Sequence, residues 1–405
     1  MSVALGITRP LPVRTIPIGD PGNLLSRLPS TAPYAWIRHG EGLAGWGEAA
    51  KVTVPPGPDR FGWARQWLTS VFGDAHTRGG IGPVAFGTFT FDENSPGSTL
   101  VVPQTVLTRR DGEAWITTVG DPGPAEPLTP ITFPGRISYG DGSLTAPAWE
   151  TIVARAARRI REGELEKVVL ARDLTATAQH PIDVRLLLTR LAERYPDCYT
   201  FSVAGLVGAT PELLIRRTGQ QIESLVLAGT TARGTNPADD IARGAALFAS
   251  TKDRHEHECA IASVREALTP LAAKLNVPDE PELLVLPNLQ HLASHVTGTL
   301  ADGASVLDVV AALHPTAAVG GTPTDTAIRL IRELEGMDRA GYAGPVGWID
   351  AHGDGEWGIA LRSGIVEGRR ARLFAGCGIM GTSEPASELA EAQTKFRVMQ
   401  YALEG

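Results

Sequence analysis

The run WETIVARAARRIREGELEKVVLA, residues 149–171, contains the two patterns that decide the fold. Its first part, Trp149 to Glu162, repeats apolar residues at the spacing of an amphipathic helix. Its end, Lys167 to Ala171, is an apolar strand. The strands that follow are mixed with helices that do not have the regular order of crossovers between parallel strands. The pattern therefore favours an α+β fold over a doubly wound sheet.

Further helices and strands follow downstream in the same mixed order. The predicted helices are Val184 to Tyr195, Ala238 to Leu275 with a break near Ser250-Thr251, and Ser387 to Leu403. The predicted strands are Tyr199 to Val207, Ile222 to Ala228, Val346 to Asp350, Glu356 to Ser363 and Arg372 to Ala375. The sequence has no short internal repeat, so a repeat architecture is not indicated.

The N-terminal part, residues 1–145, is rich in glycine and proline and reads as short strands. The predicted strands are Ala35 to Arg38, Val84 to Phe91, Thr99 to Val102 and Ala114 to Val119, with a helix from Asp59 to Phe72. Turn signals at Gly120 to Pro124 and at Pro134-Gly135 close this part. We expect residues 1–145 and 146–405 to supply strands to one core, so that the change in composition is not a domain boundary.

Composition narrows the class of protein and of partner. The chain has 405 residues, 43% of them hydrophobic, and a formal net charge of -8. These values are those of an ordinary globular protein with one very large core or two domains. The negative charge provides no general attraction for nucleic acid or an acidic membrane, so we expect neither as a partner. An anionic substrate would need local positive charge or a bound metal.

The sequence also indicates the compartment. No apolar run is long enough to span a bilayer. The N-terminal run MSVALGITRPLPVRTIPIG has no basic segment followed by a continuous apolar stretch, so we expect no signal peptide. The three cysteines are odd in number and have no CxxC spacing. A disulfide framework is therefore not expected, and a reducing cytoplasm is.

Two helical runs carry pairs of acidic residues. In KDRHEHE, Asp253 and Glu256 are three residues apart and share one helix face. In SELAEAQTK, Glu388 and Glu391 do the same. Two helices that each offer a carboxylate pair would suit Mg²⁺, which prefers oxygen ligands. Either face alone also has the pattern of an ordinary solvated surface.

Several single residues have both a functional and an ordinary interpretation. Lys167 is either a lysine at the edge of an apolar strand or a buried base. Glu212, after a proline-containing turn, is either a cap or a general acid. His255 and Cys259 lie at i and i+4 and suggest zinc, but no HExxH or paired thiolate supports it.

Two glycine-bearing loops, Arg362 and His291 also have both a functional and an ordinary interpretation. Gly229 and Gly376 each follow a strand and would let the backbone approach a ligand, which alone is a weak signal. Arg362 would clamp a carboxylate or form a surface salt bridge. His291 would line a site or serve a structural role.

Taken in order, these pieces resemble the chorismate-utilising enzymes, the family of isochorismate, salicylate, anthranilate and aminodeoxychorismate synthases. The resemblance covers about residues 145–405 and is only loose before them. Nine segments occur in family order: KVVLAR, TPELL, LAGTTARG, KDRHEHE, HPTAAVGGTP, GYAGPVGW, ALRSG, FAGCGI and SELAEAQTK.

The resemblance implies a single α+β domain in which two antiparallel sheets pack face to face, flanked by helices, with the site between the sheets. It implies that Glu256 and Glu391 bind Mg²⁺ and that Asp253 and Glu388 act through waters or as outer ligands. Family enzymes often have glutamate where this chain has Asp253. The residues it implies for binding chorismate are Gly229, His291, Ala318, Tyr342, Arg362, Gly376 and Lys395.

Within the family, a few positions distinguish the activities. Lys167 stands where anthranilate synthases have glutamine, and Ala228 stands where aminodeoxychorismate synthases have a nucleophilic lysine. Water is therefore the expected nucleophile. Salicylate synthases tend to have threonine at the position of Ala318, so Ala318-Val319 favours isochorismate formation, with salicylate formation as the alternative. Ala317 departs from a common proline and affects only the expected loop conformation.

The resemblance thus implies a Mg²⁺-dependent isomerase. Lys167 would take a proton from the water that attacks C2 of chorismate, and Glu212 would protonate the departing C4 hydroxyl. We expect a cytoplasmic monomer without a glutaminase subunit. Its product would feed either menaquinone or a catecholate siderophore.

Overall fold

The computed structural model describes residues 11–73, 82–121 and 128–405. Within these ranges the chain forms eight α-helices, one short 3₁₀-helix (Leu24–Arg27) and 22 strands. The α-helices are α1 (Arg60–Phe72), α2 (Ala146–Arg161), α3 (Val184–Arg194), α4 (Pro237–Ala249), α5 (Thr251–Leu268), α6 (Val306–Leu313), α7 (Thr324–Leu334) and α8 (Pro385–Glu404).

The strands are mostly four to seven residues long, and four of them have ten or twelve residues. They are β1 (Val13–Ile18), β2 (Tyr34–Arg38), β3 (Glu41–Trp46), β4 (Ala50–Thr53), β5 (Val84–Thr88), β6 (Thr99–Val102), β7 (Thr105–Arg110), β8 (Glu113–Val119), β9 (Ile137–Asp141), β10 (Lys167–Ala178), β11 (Tyr199–Val203), β12 (Leu206–Thr210), β13 (Leu213–Thr218), β14 (Gln221–Ala232), β15 (Ala272–Asn276), β16 (Glu282–Val285), β17 (Leu289–Leu300), β18 (Gly321–Thr322), β19 (Pro345–Asp350), β20 (Gly355–Ile359), β21 (Ser363–Glu367) and β22 (Arg370–Ile379).

The described strands form two sheets in which the recorded pairings are antiparallel. The first sheet has twelve strands in the order β1-β8-β7-β3-β2-β11-β12-β21-β22-β10-β18, with β9 beside β10. The second has ten in the order β15-β17-β14-β13-β20-β19-β5-β6-β4, with β16 beside β17. Strands from the N-terminal part lie in both sheets.

Large apolar side chains pack the two sheets face to face. Trp36 of the first sheet belongs to the same buried cluster as Phe86 and Trp348 of the second. The indole of Trp36 stacks on Tyr199 at 5.0 Å and donates through Nε1 to Glu356 of the second sheet at 2.8 Å. The fold is therefore a single α+β domain built on a sheet sandwich, as the family resemblance implies.

Helices cover the outer faces and carry site residues to the centre. The N-cap of helix α2 is Thr145. The indole Nε1 of Trp149 in this helix donates to Ala171 O of β10 at 3.1 Å. The predicted break near residue 250 is confirmed, since Ser250 ends α4 and caps the start of α5. Helix α8 packs on α2, α3 and β22, and α5 packs on β14.

Four predicted elements differ from the structure. The strand predicted over 199–207 is a hairpin, because Ala204 and Gly205 adopt positive φ and turn the chain between β11 and β12. The strand predicted over 356–363 is interrupted before β21, where Arg362 has a φ of 49°. The helix predicted to Leu275 ends at Leu268, and the following residues pair as β15 with β17. The strand predicted over 84–91 ends at Thr88.

Two further sequence observations fall partly outside the described residues. Of the turn signal at 120–124, residues 122–124 lie outside them, as does the N-terminal run up to residue 10.

Candidate active site

A cavity between the sheets, next to α5 and α8, gathers most of the predicted site residues. Those that line it are Glu212, Gly229, Glu256, His291, Ala318, Tyr342, Arg362, Gly376, Glu391 and Lys395. Lys167, Asp253 and Glu388 are not among its lining residues. Lys167 nevertheless reaches it through Glu256, since Nζ lies 3.1 Å from Oε1 of that carboxylate.

Lys167 is fully buried at the start of β10. Its Nζ has no hydrogen-bond partner among the described residues, because the approach to Glu256 lacks the required geometry. The neighbouring strand β22 makes this approach possible through Gly378. A Cβ there would lie 2.1 Å from Glu256 Oε1 and 3.1 Å from Lys167 Cε. The sequence places Gly378 in the same glycine-bearing run as Gly376, but only Gly376 was predicted as a site residue.

Glu212 lies between β12 and β13, where its backbone N–H donates to Thr210 Oγ1 at 3.2 Å. Its side chain is only 4% exposed. Burial raises the pKa of this carboxyl to about 8, although a backbone hydrogen bond from Leu227 and the charges of nearby cations oppose the shift. Glu212 is therefore mostly protonated at neutral pH, which is the state a general acid needs.

Arg362 is buried rather than part of a surface salt bridge. Its Nη2 lies 3.2 Å from Nε2 of His291, and Nδ1 of His291 lies 3.0 Å from Thr230 Oγ1. Because a guanidinium only donates, Nε2 must accept and the ring proton resides on Nδ1. Burial and the charge of Arg362 keep the pKa of His291 well below its usual value, which holds the ring neutral.

Lys395 is held at the end of the cavity by two contacts. Its ammonium donates to Gly376 O at 2.8 Å and lies 2.6 Å from Glu391 Oε1. Burial would lower the pKa of Lys395, but the Glu391 charge outweighs it and the pKa is raised. Tyr342 stacks on Phe374 at 5.2 Å. A Cβ at Gly376 would lie 3.2 Å from the Tyr342 hydroxyl, so glycine gives this ring its room.

The four predicted carboxylates lie on facing helices but do not form one compact group. Glu388 and Glu391 come within 4.8 Å of each other and of Cys377 Sγ. Burial and the Glu391 charge raise the pKa of Glu388. Burial would raise the pKa of Glu391 too, but Lys395 reverses the shift and the pKa is lowered. Asp253, whose pKa burial raises, shares a hydrogen bond with Ser250.

A lysine side chain lies against three of these four carboxylates. Lys167 faces Glu256, Lys395 faces Glu391, and Lys252 faces the buried Glu388 at 2.7 Å. Carboxylate oxygens that burial and mutual repulsion destabilise fit a hard divalent cation, which is the chemistry of Mg²⁺ sites. Lys252 was not predicted from the sequence, although it stands one residue before Asp253.

A buried ion pair that sequence reasoning missed supports the cavity wall. Glu335 and Arg339 are 1% and 2% exposed and contact each other directly. Glu335 Oε1 accepts from the backbone of Ala171 at 2.7 Å, while Arg339 donates to Val169 O at 2.7 Å and to Val319 O at 3.0 Å. The pair thus ties the 318–319 loop to β10. Its only sequence signal is the i, i+4 spacing of opposite charges.

Buried cations, a carboxyl with a raised pKa and a carboxylate-lined end around one cavity are groups that can bind a small anion and transfer protons. The family model for the chorismate binding enzyme matches residues 136–404. The chain belongs to the chorismate-binding enzyme family.

Individual relatives agree with this assignment. Isochorismate synthase EntC of Escherichia coli (strain K12) is 34% identical over 342 residues, which are 83% of this chain and 85% of that protein. Isochorismate synthase MenF of Bacillus subtilis (strain 168) is 40% identical over 261 residues, which are 64% of this chain and 55% of that protein. The chain thus spans little more than half the length of the Bacillus protein.

A solved structure has the same fold. It is that of MenF, the menaquinone-specific isochorismate synthase from Escherichia coli, with a TM-score of 0.83, 24% identity, and coverage of 97% of this chain and 95% of that one. The helices of the described residues include none with the length and apolar character needed to cross a membrane.

Proposed function

We propose that this protein is an isochorismate synthase that converts chorismate to isochorismate with the help of Mg²⁺. The observation that carries the proposal is a cavity lined both by Glu212, a buried carboxyl whose pKa is raised to about 8, and by Glu256, whose carboxylate lies 3.1 Å from the buried Nζ of Lys167. A base and an acid of this kind are what the reaction needs. The names of the relatives support the same reaction.

Lys167 acts as the base in this mechanism. As the neutral amine it removes a proton from water, whose oxygen forms a bond to C2 of chorismate. The ring double bonds shift, and the C–O bond at C4 breaks. Glu212 delivers its proton to the departing hydroxyl, so that water leaves. General acid or base help of this type contributes about 10²–10⁴-fold to the rate for each group.

Cationic and backbone groups hold the substrate. Arg362 and Lys395 offer positive charge to the two carboxylates of chorismate. Gly229 and Gly376 let the backbone approach the ligand closely, and the Tyr342 hydroxyl lies beside Gly376. His291 and Ala318 complete the wall around the ring.

The carboxylate end of the cavity would hold Mg²⁺. Glu256 and Glu391 are the proposed direct ligands, with Asp253 and Glu388 acting through waters or as outer ligands. When bound, the ion supplies electrostatic stabilisation and orients the substrate's ring carboxylate. Lys395 and Lys252 compensate the charges of Glu391 and Glu388 and keep these side chains within reach.

We further propose that residues 1–145 complete both sheets rather than form a separate domain, which the strand order supports. The protein would work in the cytoplasm as a monomer without a glutaminase subunit. Lys167 and Ala228 support this last point, because they stand where the ammonia-using relatives have other residues.

The decisive experiment incubates the purified protein with chorismate and Mg²⁺ and identifies the products by chromatography. Isochorismate should accumulate for the wild type. Lys167→Ala should abolish it, whereas Lys51→Ala, which removes an exposed lysine paired with Glu48, should not. Accumulation of salicylate and pyruvate would favour salicylate synthase instead. Absence of turnover would overturn the proposal.

A further inference from the structure

A second cluster of potential metal ligands lies outside the cavity, behind the start of β10. It consists of Glu166, His255 and Cys259, each of which offers one ligand atom within 4.8 Å of the other two. The imidazole and thiol are one helical turn apart on α5, and the carboxylate comes from the residue that precedes β10. The proposed mechanism and Mg²⁺ site use none of these three side chains.

We propose that Glu166, His255 and Cys259 form a binding site for a thiophilic divalent cation, of which Zn²⁺ is the clearest representative. A sulfur, a nitrogen and an oxygen from three side chains are a normal protein ligand set for Zn²⁺, with water at the fourth position. Mg²⁺ does not use thiolate ligands, so the two sites would select different ions.

The distance between the thiol and the carboxylate fits a tetrahedral ion with little movement. Typical Zn–S and Zn–O bonds place the two ligand atoms about 3.6 Å apart. Cys259 Sγ and Glu166 Oε2 are already 3.8 Å apart. The alternative is that this contact is only a weak hydrogen bond from the thiol to the carboxylate.

The surroundings of the three ligands give an ion access from solvent and place a further carboxylate beside His255. Glu166 and His255 line an open depression at the surface. Lys252 lines the same depression, but its ammonium is engaged by Glu388 at 2.7 Å. Glu258 lies 3.7 Å from Nδ1 of His255. A carboxylate beside a metal-binding imidazole is the usual means of orienting that ring.

The backbone anchors two of the ligands independently of any ion. Glu166 N donates to Thr322 O at 2.8 Å, and Cys259 is buried within α5. An ion at this position would join α5, which carries Glu256, to the residue before Lys167. The site therefore touches the same two elements as the catalytic cavity, from their outer side.

The test uses the full-length protein in saturating Mg²⁺, so that the carboxylate end of the cavity is supplied with its own ion. Co²⁺ is titrated as a spectroscopic probe, and the thiolate-to-cobalt charge-transfer absorption is recorded, followed by its displacement with Zn²⁺. We expect one thiolate-containing site per chain. Because even outer partners of a metal typically contribute about 10–100-fold to affinity, Cys259→Ser and Glu166→Gln should each weaken Zn²⁺ binding at least about tenfold.

Two other cysteine variants make the test specific. Cys198→Ser, which alters another buried thiol, should leave the absorption unchanged. Glu166→Gln changes an exposed side chain, so it separates ligand loss from misfolding. If Co²⁺ gives no charge-transfer band in the wild type, no thiophilic site exists. If the band survives Cys259→Ser and disappears in Cys377→Ser, the ion binds near Glu388 and Glu391, and the proposal is overturned. These outcomes do not depend on turnover of chorismate.

Discussion

Replacing Glu212 with glutamine should inactivate the protein while making it more stable at alkaline pH. In the folded protein, burial raises the pKa of this carboxyl to about 8 from its ordinary value of 4.5. Between these two pKa values, the folded state therefore keeps a proton that the unfolded chain releases. The free energy of unfolding must fall as the pH rises through this range, because ionisation of the carboxyl stabilises the unfolded state and not the folded state. A neutral amide removes the effect.

The expected magnitude follows from the displacement of the pKa. Each unit corresponds to about 1.4 kcal/mol, so the buried carboxyl costs up to about 3 kcal/mol of unfolding free energy at pH 7. Between about pH 6 and pH 8 the wild type should lose about 2 kcal/mol that Glu212→Gln does not lose. Contributions of other titrating groups are common to both proteins and cancel in the difference.

Urea unfolding of wild type and Glu212→Gln at several pH values measures this difference directly. The same samples should show that kcat of the variant falls by about 10²–10⁴-fold, since the amide cannot donate the proton. In the wild type, kcat should decline as the pH rises above about 8. A stability difference that does not change with pH would refute the raised pKa. Near-normal kcat would remove Glu212 from the mechanism.

The remaining predictions concern the base, the metal, the product and the buried ion pair. Lys167→Ala should lower kcat by about 10²–10⁴-fold while chorismate binding, measured by fluorescence, persists; near-normal turnover would contradict its role. EDTA should abolish activity, and Mg²⁺ should restore it better than Zn²⁺, because the proposed ligands are carboxylates; full turnover after EDTA would make those carboxylates structural. Ala318→Thr should raise the ratio of salicylate to isochorismate, measured by fluorescence and chromatography, because a hydroxyl near the ring can orient pyruvate elimination and a methyl cannot; a wild type that already makes mainly salicylate would contradict the assignment. Glu335→Ala should cost about 3–5 kcal/mol in urea unfolding, because it leaves Arg339 charged, buried and unpaired; the exposed Glu333→Ala is the control, and an equal effect of both would contradict the argument.

The sequence predicted the elements whose apolar spacing is regular. The run from Trp149 to Ala171 forms α2 and β10, and the break at Ser250 is where the chain leaves one helix and enters the next. Prediction from the sequence failed where the backbone turns within an apolar run. The hairpin at Ala204-Gly205 interrupts residues that all read as strand, so periodicity has no signal there.

The sequence predicted which residues belong to the site, but it did not predict which other residues each of them contacts. The resemblance supplied Lys167 and Glu256 separately, whereas the 3.1 Å contact between them joins the start of β10 to α5. Thr230, whose Oγ1 accepts from Nδ1 of His291, lies opposite that residue because of the register of β14 with β17. Such contacts join residues far apart in sequence, and no local pattern encodes them.

Three glycines explain how so many polar groups share one cavity. A Cβ at Gly378 would lie 2.1 Å from Glu256 Oε1, one at Gly376 would lie 3.1 Å from Leu170 O, and one at Gly229 would lie 3.1 Å from Asp253 Cβ. At Gly378 and Gly229 the missing side chain leaves room for an acidic residue of α5, and at Gly376 it leaves room for the neighbouring strand β10. Charged groups so close together are costly to bury unless each has a partner. The pairing of Lys395 with Glu391 meets that requirement at the cavity wall, and the space left by Gly378 admits the Glu256 carboxylate beside Lys167.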